Sequence, residues 1–203
     1  MGTQEIGMIS GSLVVVSVIP YAIRTYQGKI MPNLTSWGLW SVIAVAILLT
    51  YRESGAKDNV WPAIFGVTNP ILVTVIAIWR RSKLEPMTRW EKLSAVGCIL
   101  SLVLWFALRG NKGLSQFALY LAILADLCAY VPTYIFVRVH PESDRPGPWI
   151  LFGIAYGLGA FAATDSSVSN YVLPVYMFFG ALGASIPLIR YRVKAKVPIA
   201  EWI

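Results

Sequence analysis

Pro20, Trp37, Pro62 and Arg80 recur 112 residues later, without a gap, as Pro132, Trp149, Pro174 and Arg192. The intervening steps of 17, 25 and 18 residues are the same in both copies. Between Pro20 and Arg80, eight of 61 ungapped pairs are identical, with Ile23/Ile135, Leu39/Leu151, Ser54/Ser166 and Val60/Val172 completing the set. Isoleucine and leucine match by chance in an apolar chain. Proline and tryptophan are rarer, so their fixed spacing carries the argument against coincidence among segments that favour Pro and Trp near their ends. Each copy spans three apolar segments, and one more lies between them. A duplicated three-segment unit in so apolar a chain points to a membrane-transporter architecture.

The chain is 57% hydrophobic and 13% charged, with a mean hydropathy of +0.63. A soluble domain carries about 25% charged residues. Seven stretches are apolar enough to cross a bilayer: Met8–Ile23, Ser36–Tyr51, Val60–Trp79, Leu93–Leu108, Gln116–Val137, Trp149–Ala163 and Val172–Ile189. The second and sixth are short. Lipid satisfies no backbone N–H or C=O, so each span must be a helix. Runs such as Leu13-Val14-Val15-Val16 lack the alternation of a transmembrane barrel strand.

The net charge of +7 is a topology signal rather than a nucleic-acid footprint. Arg52, Lys57, Arg109 and Lys112 make four cations on one side of the alternation. The other side carries 13, in the loops of Arg24 and Lys29, of Arg80 to Lys92, and of Arg138 and Arg145, and in the tail from Arg190 to Lys196. The positive-inside rule puts the 13 in the cytoplasm, the N-terminus outside and the C-terminus inside. No basic leader precedes the first apolar run, so no cleavable signal peptide is expected. Met1-Gly2 opens like a myristoylation site, but Ile6 stands where Ser or Thr is needed. Cys98 and Cys128 fall inside spans and read as buried thiols rather than a disulfide framework.

A three-span unit begins on one side and ends on the other, so one extra span is needed to make a second copy parallel. Leu93–Leu108 has that place. The expected fold is an all-α membrane protein of seven transmembrane helices. Two parallel three-helix repeats are joined by a linker helix (3+1+3): residues 1–83, 84–112 and 113–203, the last including the basic tail. This plan, with a proline late in the first span of each unit, resembles the SWEET and PQ-loop superfamily across essentially the whole chain. The family's Pro-Gln pair is here Pro20-Tyr21 and Pro132-Thr133. The resemblance implies hinge prolines at Pro20, Pro132 and Pro148, with Ser36 at the fourth place. It implies a sugar-facing amide at Asn69, whose repeat partner is Ala181. The family's binding tryptophan late in the second span is replaced by Tyr51 and Ala163. Pro62 and Pro174 read instead as helix starts, where proline is tolerated.

Asp126 is the only carboxylate well inside a span, flanked by Leu124, Ala125, Leu127 and Cys128. Such a residue costs about 2.5–3.5 kcal/mol at a bilayer centre and must face the bundle interior or water. It reads as a substrate ligand or proton carrier, against the plainer reading of a neutral interhelical hydrogen bond. Tyr130, four residues on, shares its face. Asn69 offers an amide to a hydroxyl-bearing solute, or simply glues helices. Trp40 and Tyr156 lie deeper than Trp37 and Trp149, which read as interfacial belt residues. Gly153 and Gly157, and Gly180 and Ala184, form small-xxx-small steps for close packing.

Enzymatic chemistry is not expected. The single histidine, His140, lies in a loop, and HExxH, GxSxG and Walker patterns are absent. No catalytic residue, metal ligand or cofactor is assigned, and a retinal Schiff base is excluded because Val172–Ile189 has no lysine. The expected function is alternating-access transport of a small polar solute, sugar-like and with proton coupling left open. The expected binding residues are Asn69, Trp40, Asp126, Tyr130 and Tyr156. The alternative is a non-transporting receptor on the same scaffold. Expected partners are the solute and membrane lipid, with self-association left open and nucleic acid excluded. Compact loops lean towards a bacterial inner membrane.

Overall fold

A computed structural model describes residues 1–203, apart from the side chain of Lys112. The described chain is helical, with α1 Thr3–Tyr26, α2 Leu34–Glu53, α3 Trp61–Gly66, α4 Thr68–Trp79, α5 Arg89–Leu108, α6 Lys112–Val139, α7 Pro146–Ala160 and α8 Val168–Lys194. Polar residues set the starts. Asn33, Thr88 and Asn111 each accept a first-turn N–H through their side chains, and Thr88 with Glu91 closes a capping box.

Six helical stretches, with Asp58–Trp79 counted as one, are long and apolar enough to cross a membrane, which gives the chain the build of an integral membrane protein. The distribution of side chains agrees. Large apolar residues such as Val75, Ile99, Phe106 and Phe179 are 57–64% exposed, whereas Ser10, Ser94, Ser101 and Ser115 are fully buried. A lipid-facing outside and an interior of small residues reverse the pattern of a soluble globule. The second span is not short, because the Asn33 cap lets α2 run for 20 residues. The sixth is: α7 has 15 residues, about 22 Å at 1.5 Å per residue.

Prolines decide the bends. Pro20 and Pro132 stand inside α1 and α6, as expected. Pro148 lies in the first turn of α7, where its missing N–H breaks no helical bond. Pro62 opens α3, but Pro174 does not open α8. That helix starts six residues earlier, at Val168, so Pro174 is an interior proline and leaves the Asn170 carbonyl without its helical donor. The third span is broken between α3 and α4 at Val67, one turn before Pro70, for the same reason.

The packing has a regular pattern. α1 and α2 both pack on α4, as α6 and α7 both pack on α8. Across the molecule α1 packs on α7 and α2 on α6, while α5 lies against α6 and α2. Arg80 fills the space a Cβ would need at Gly28, whose φ of +72° also calls for glycine. Its repeat counterpart Arg192 donates to the Pro141 carbonyl (3.1 Å) in the corresponding loop after α6.

Close helix approach depends on glycine in α1 and α7. A Cβ at Gly7 would meet the Asp58 carbonyl oxygen at 2.1 Å, and one at Gly159 would meet Pro62 Cγ at 2.8 Å. Gly38 faces open space. Gly7→Ala should therefore cost about 1–3 kcal/mol as overpacking, whereas Gly38→Ala should be neutral or gain up to about 1 kcal/mol from helix propensity. Thermal unfolding of the two variants in one detergent checks this: Gly7→Ala melts below wild type and Gly38→Ala does not.

Candidate functional site

A cavity of about 190 Å³ lies between the two halves of the chain. At roughly 10–15 Å³ per water on this measure, it holds a dozen or more waters or one small solute. All five side chains singled out from the sequence line it: Trp40, Asn69, Asp126, Tyr130 and Tyr156. Its lining reaches from Asp126 and Asn69 at mid-helix to Trp37, Asp144, Pro148 and Trp149 beside the starts of α2 and α7. Its walls are mainly apolar and rich in aromatic rings, so the few polar groups define where a solute would be held.

Asp126 is half-buried on α6, and its Oδ2 accepts the Tyr176 hydroxyl of α8 at 2.9 Å. The Asp126 side chain is thus oriented by one donor and faces the cavity with capacity to spare. Asn69 is buried and donates through Nδ2 to the Val14 carbonyl of α1 at 3.0 Å. Val14 is the repeat counterpart of Asp126. In both halves the third span is therefore tied to the first at the same level, by an amide to a main-chain oxygen in one and a phenol to a carboxylate in the other. Tyr130 donates to the Gly180 carbonyl (2.5 Å) and Tyr156 to the Pro62 carbonyl (3.2 Å). Asn69, Tyr130 and Tyr156 thus hold helices together as well as facing the cavity.

Trp37 and Trp149, read from the sequence as belt residues, both line the cavity near its end. Trp37 packs on Tyr21 and Trp40, with ring centroids 5.0 and 5.2 Å apart. Trp149 donates through Nε1 to Asp144 Oδ2 at 2.8 Å. Burial raises the Asp144 carboxyl above its ordinary range, against the Trp149 and Arg145 N–H donors and the charges of Arg192 and Arg24.

The opposite end is sealed. Tyr51 of α2, Asn59 before α3 and Asn170 of α8 are all at most 1% exposed. Tyr51 donates its hydroxyl to the Asn170 carbonyl at 2.7 Å, and Asn59 Nδ2 reaches the same carbonyl at 3.0 Å, Asn170 Oδ1 at 3.1 Å and the Tyr51 oxygen at 2.6 Å. The shared acceptor is the oxygen left free by Pro174. Sequence reasoning missed this cluster. Asn59 and Asn170 are 111 residues apart, one short of the repeat, so an ungapped comparison pairs Asn170 with Asp58. Tyr176 was missed as well, because a tyrosine in an apolar span carries no signal of which way it faces.

Among the described residues, no group of three or more His, Cys, Asp or Glu side chains is arranged to hold a metal ion. No protein-family model, curated protein or solved structure matches the chain. Fold and site together describe a helical membrane protein with an aromatic-rich, polar-centred cavity closed at one end.

Removing the Tyr51 hydroxyl withdraws one donor from the Asn170 carbonyl and the acceptor of one Asn59 N–H. Tyr51→Phe should cost about 1–3 kcal/mol, the range for a buried group left without a partner. Tyr176→Phe, at the half-buried cavity wall, should cost less. Melting temperatures of both variants test the order, and equal melting would contradict it.

Proposed function

We propose that the chain is a transporter that moves a small polar solute by alternating access through this cavity. The observation that carries the reading is the cavity's asymmetry: it reaches one end of the molecule, and a buried hydrogen-bonded cluster closes the other. The exchange of neighbours supports two parallel triple-helix repeats, α1 to α4 and α6 to α8, with α5 as the linker of a 3+1+3 plan. Under the swap of α1 with α6, α2 with α7 and α4 with α8, the main packing pairs map onto one another: α1–α7 onto α6–α2, and α1–α4 onto α6–α8. The loop charges then orient the protein with the N-terminus outside and the tail in the cytoplasm of a bacterial inner membrane. In this orientation the Tyr51 cluster is an outer gate, and the cavity faces inward. The pattern agrees with the resemblance to the SWEET and PQ-loop superfamily.

The cavity suits a sugar-like solute. Trp37, Trp40, Trp149 and Tyr156 offer ring faces, and Asp126 offers a hydrogen-bond acceptor among them. Asp126 is also the carboxylate at mid-helix on the path, where titration can couple flux to a proton gradient. Asp126→Asn keeps the shape but removes the titratable charge. In proteoliposomes the variant should lose accumulation driven by a pH gradient by at least tenfold while retaining solute exchange. Wild-type accumulation would remove Asp126 from coupling, and binding without flux under any gradient would favour a receptor.

Topology has its own test. In a background with Cys98 and Cys128 replaced by Ser, single cysteines introduced at Thr3 and at Ala195 should label from opposite sides of the membrane. Labelling of both from one side contradicts the orientation.

A further inference from the structure

Beyond the central cavity, at the end the aromatic mouth reaches, Arg24 of α1, Arg145 before α7 and Arg192 of α8 lie near enough to act on one another's charge. The Arg24 Nε and Nη1 groups are buried without a hydrogen-bond partner, and so is Nε of Arg192, a residue only 5% exposed. Among the described residues the one side-chain ion pair is His140–Glu142, so no carboxylate side chain pairs directly with any of the three arginines. Asp144 and, beside Arg192, Glu201 are the nearby anions; the Asp144 oxygens are engaged, Oδ1 by the Arg145 main-chain N–H at 2.7 Å and Oδ2 by Trp149. The remaining partners are main-chain oxygens. Arg192 Nη1 donates to Pro141, and Arg145 Nη1 to the Ile203 carbonyl.

Three guanidiniums against the carboxylates of Asp144 and Glu201 leave a local excess of one positive charge. A buried charged donor without a partner is costly, and neighbouring like charges add to that cost. Helix propensity does not explain the arrangement, and Arg80, the repeat counterpart of Arg192, is exposed at the corresponding place in the first half. The vacant donors of Arg24 and Arg192 offer planar, charged N–H groups of the kind that hold carboxylate and phosphate oxygens. A small pocket of about 10 Å³ beside Arg24 is lined by Tyr21, Arg24, Ser143, Asp144 and Arg145, with Arg192 outside its lining, and shares Tyr21, Asp144 and Pro148 with the central cavity.

We infer that the inner mouth holds an oxyanion-binding site, in which a phosphate or carboxylate group is gripped by Arg24 and Arg192 with Arg145 adding to the field. The group belongs either to a free anion in the cytoplasm or to the headgroup of an anionic lipid. The site adjoins the solute cavity at its mouth, and that position rests on the inward-facing reading above.

The test uses the full chain in neutral detergent. Sodium phosphate, set against sodium chloride at equal ionic strength, should raise the melting temperature saturably. Arg24→Gln should weaken phosphate binding at least fivefold by calorimetric titration, while Arg80→Gln leaves it unchanged. Arg192→Lys, which keeps the charge but loses the Nε donor, should weaken it as well and guards against a misfolded Gln variant. In nanodiscs, phosphatidylglycerol that co-purifies with wild type, is displaced by phosphate and is lost in Arg24→Gln assigns the site to lipid. Phosphate binding without lipid retention assigns it to a free anion. Stabilisation that tracks ionic strength alone, or survives Arg24→Gln undiminished, overturns the inference. Because binding is read without flux, a protein that binds phosphate but transports nothing keeps this site and loses the transport reading.

Discussion

A proline inside a membrane helix frees a carbonyl that lipid cannot satisfy. Pro174 does this to Asn170, and the freed oxygen becomes the point on which Tyr51 from α2 and Asn59 from the start of the third span converge. The seal at one end of the cavity is therefore a repair of the backbone. Interior prolines at Pro20 and Pro132, and Pro70 with its break at Val67, interrupt the same ladder on other cavity-lining helices. Each such break removes one helical hydrogen bond and favours a kink where it falls. The carbonyl freed by Pro174 binds side chains from neighbouring helices, so at Asn170 the break in the ladder and the seal draw on the same atom.

A 112-residue sequence spacing relates the two halves, and the differences between them shape the cavity. Position 14 of the first half and 126 of the second occupy equivalent levels, yet one contributes a main-chain oxygen to Asn69 and the other a carboxylate to Tyr176. Ala181, the counterpart of Asn69, is small and leaves room on the α8 wall. The cavity thus has one acidic wall and one amide wall, suited to a solute with unlike faces. α5 breaks the symmetry further, since it packs on α6 and α2 and has no counterpart. Ser36 of α2 donates to the buried Glu91 of α5 at 2.5 Å, tying the starts of the two helices together.

Much of the helical frame was legible because lipid demands long apolar runs, and polar residues within them are conspicuous. Asp126 and Asn69 stood out for that reason, and the structure brings both to one cavity. The rest depended on facts that hydropathy does not carry. Helix ends are polar, so the Asn33 cap and the early start of α8 were hidden, and with the second went the interior place of Pro174. Tryptophan suits an interface and a cavity mouth equally well, which is why Trp37 and Trp149 read as a belt. Tyr51 and Tyr176 donate to partners far along the chain, at Asn170 and Asp126 respectively.

The central claim is that opening the outer seal and closing the inner mouth are one motion. In the cysteine-free background, spin labels at Lys57 and Ser166 report the outer end, and labels at Gln27 and Glu142 the inner end, all four sites being exposed. Distances in lipid nanodiscs, measured for wild type and for Asn59→Ala, test the coupling directly. The account predicts a longer outer population in Asn59→Ala together with a shorter inner one. An outer end that loosens while the inner distance stays unchanged would contradict alternating access through this cavity.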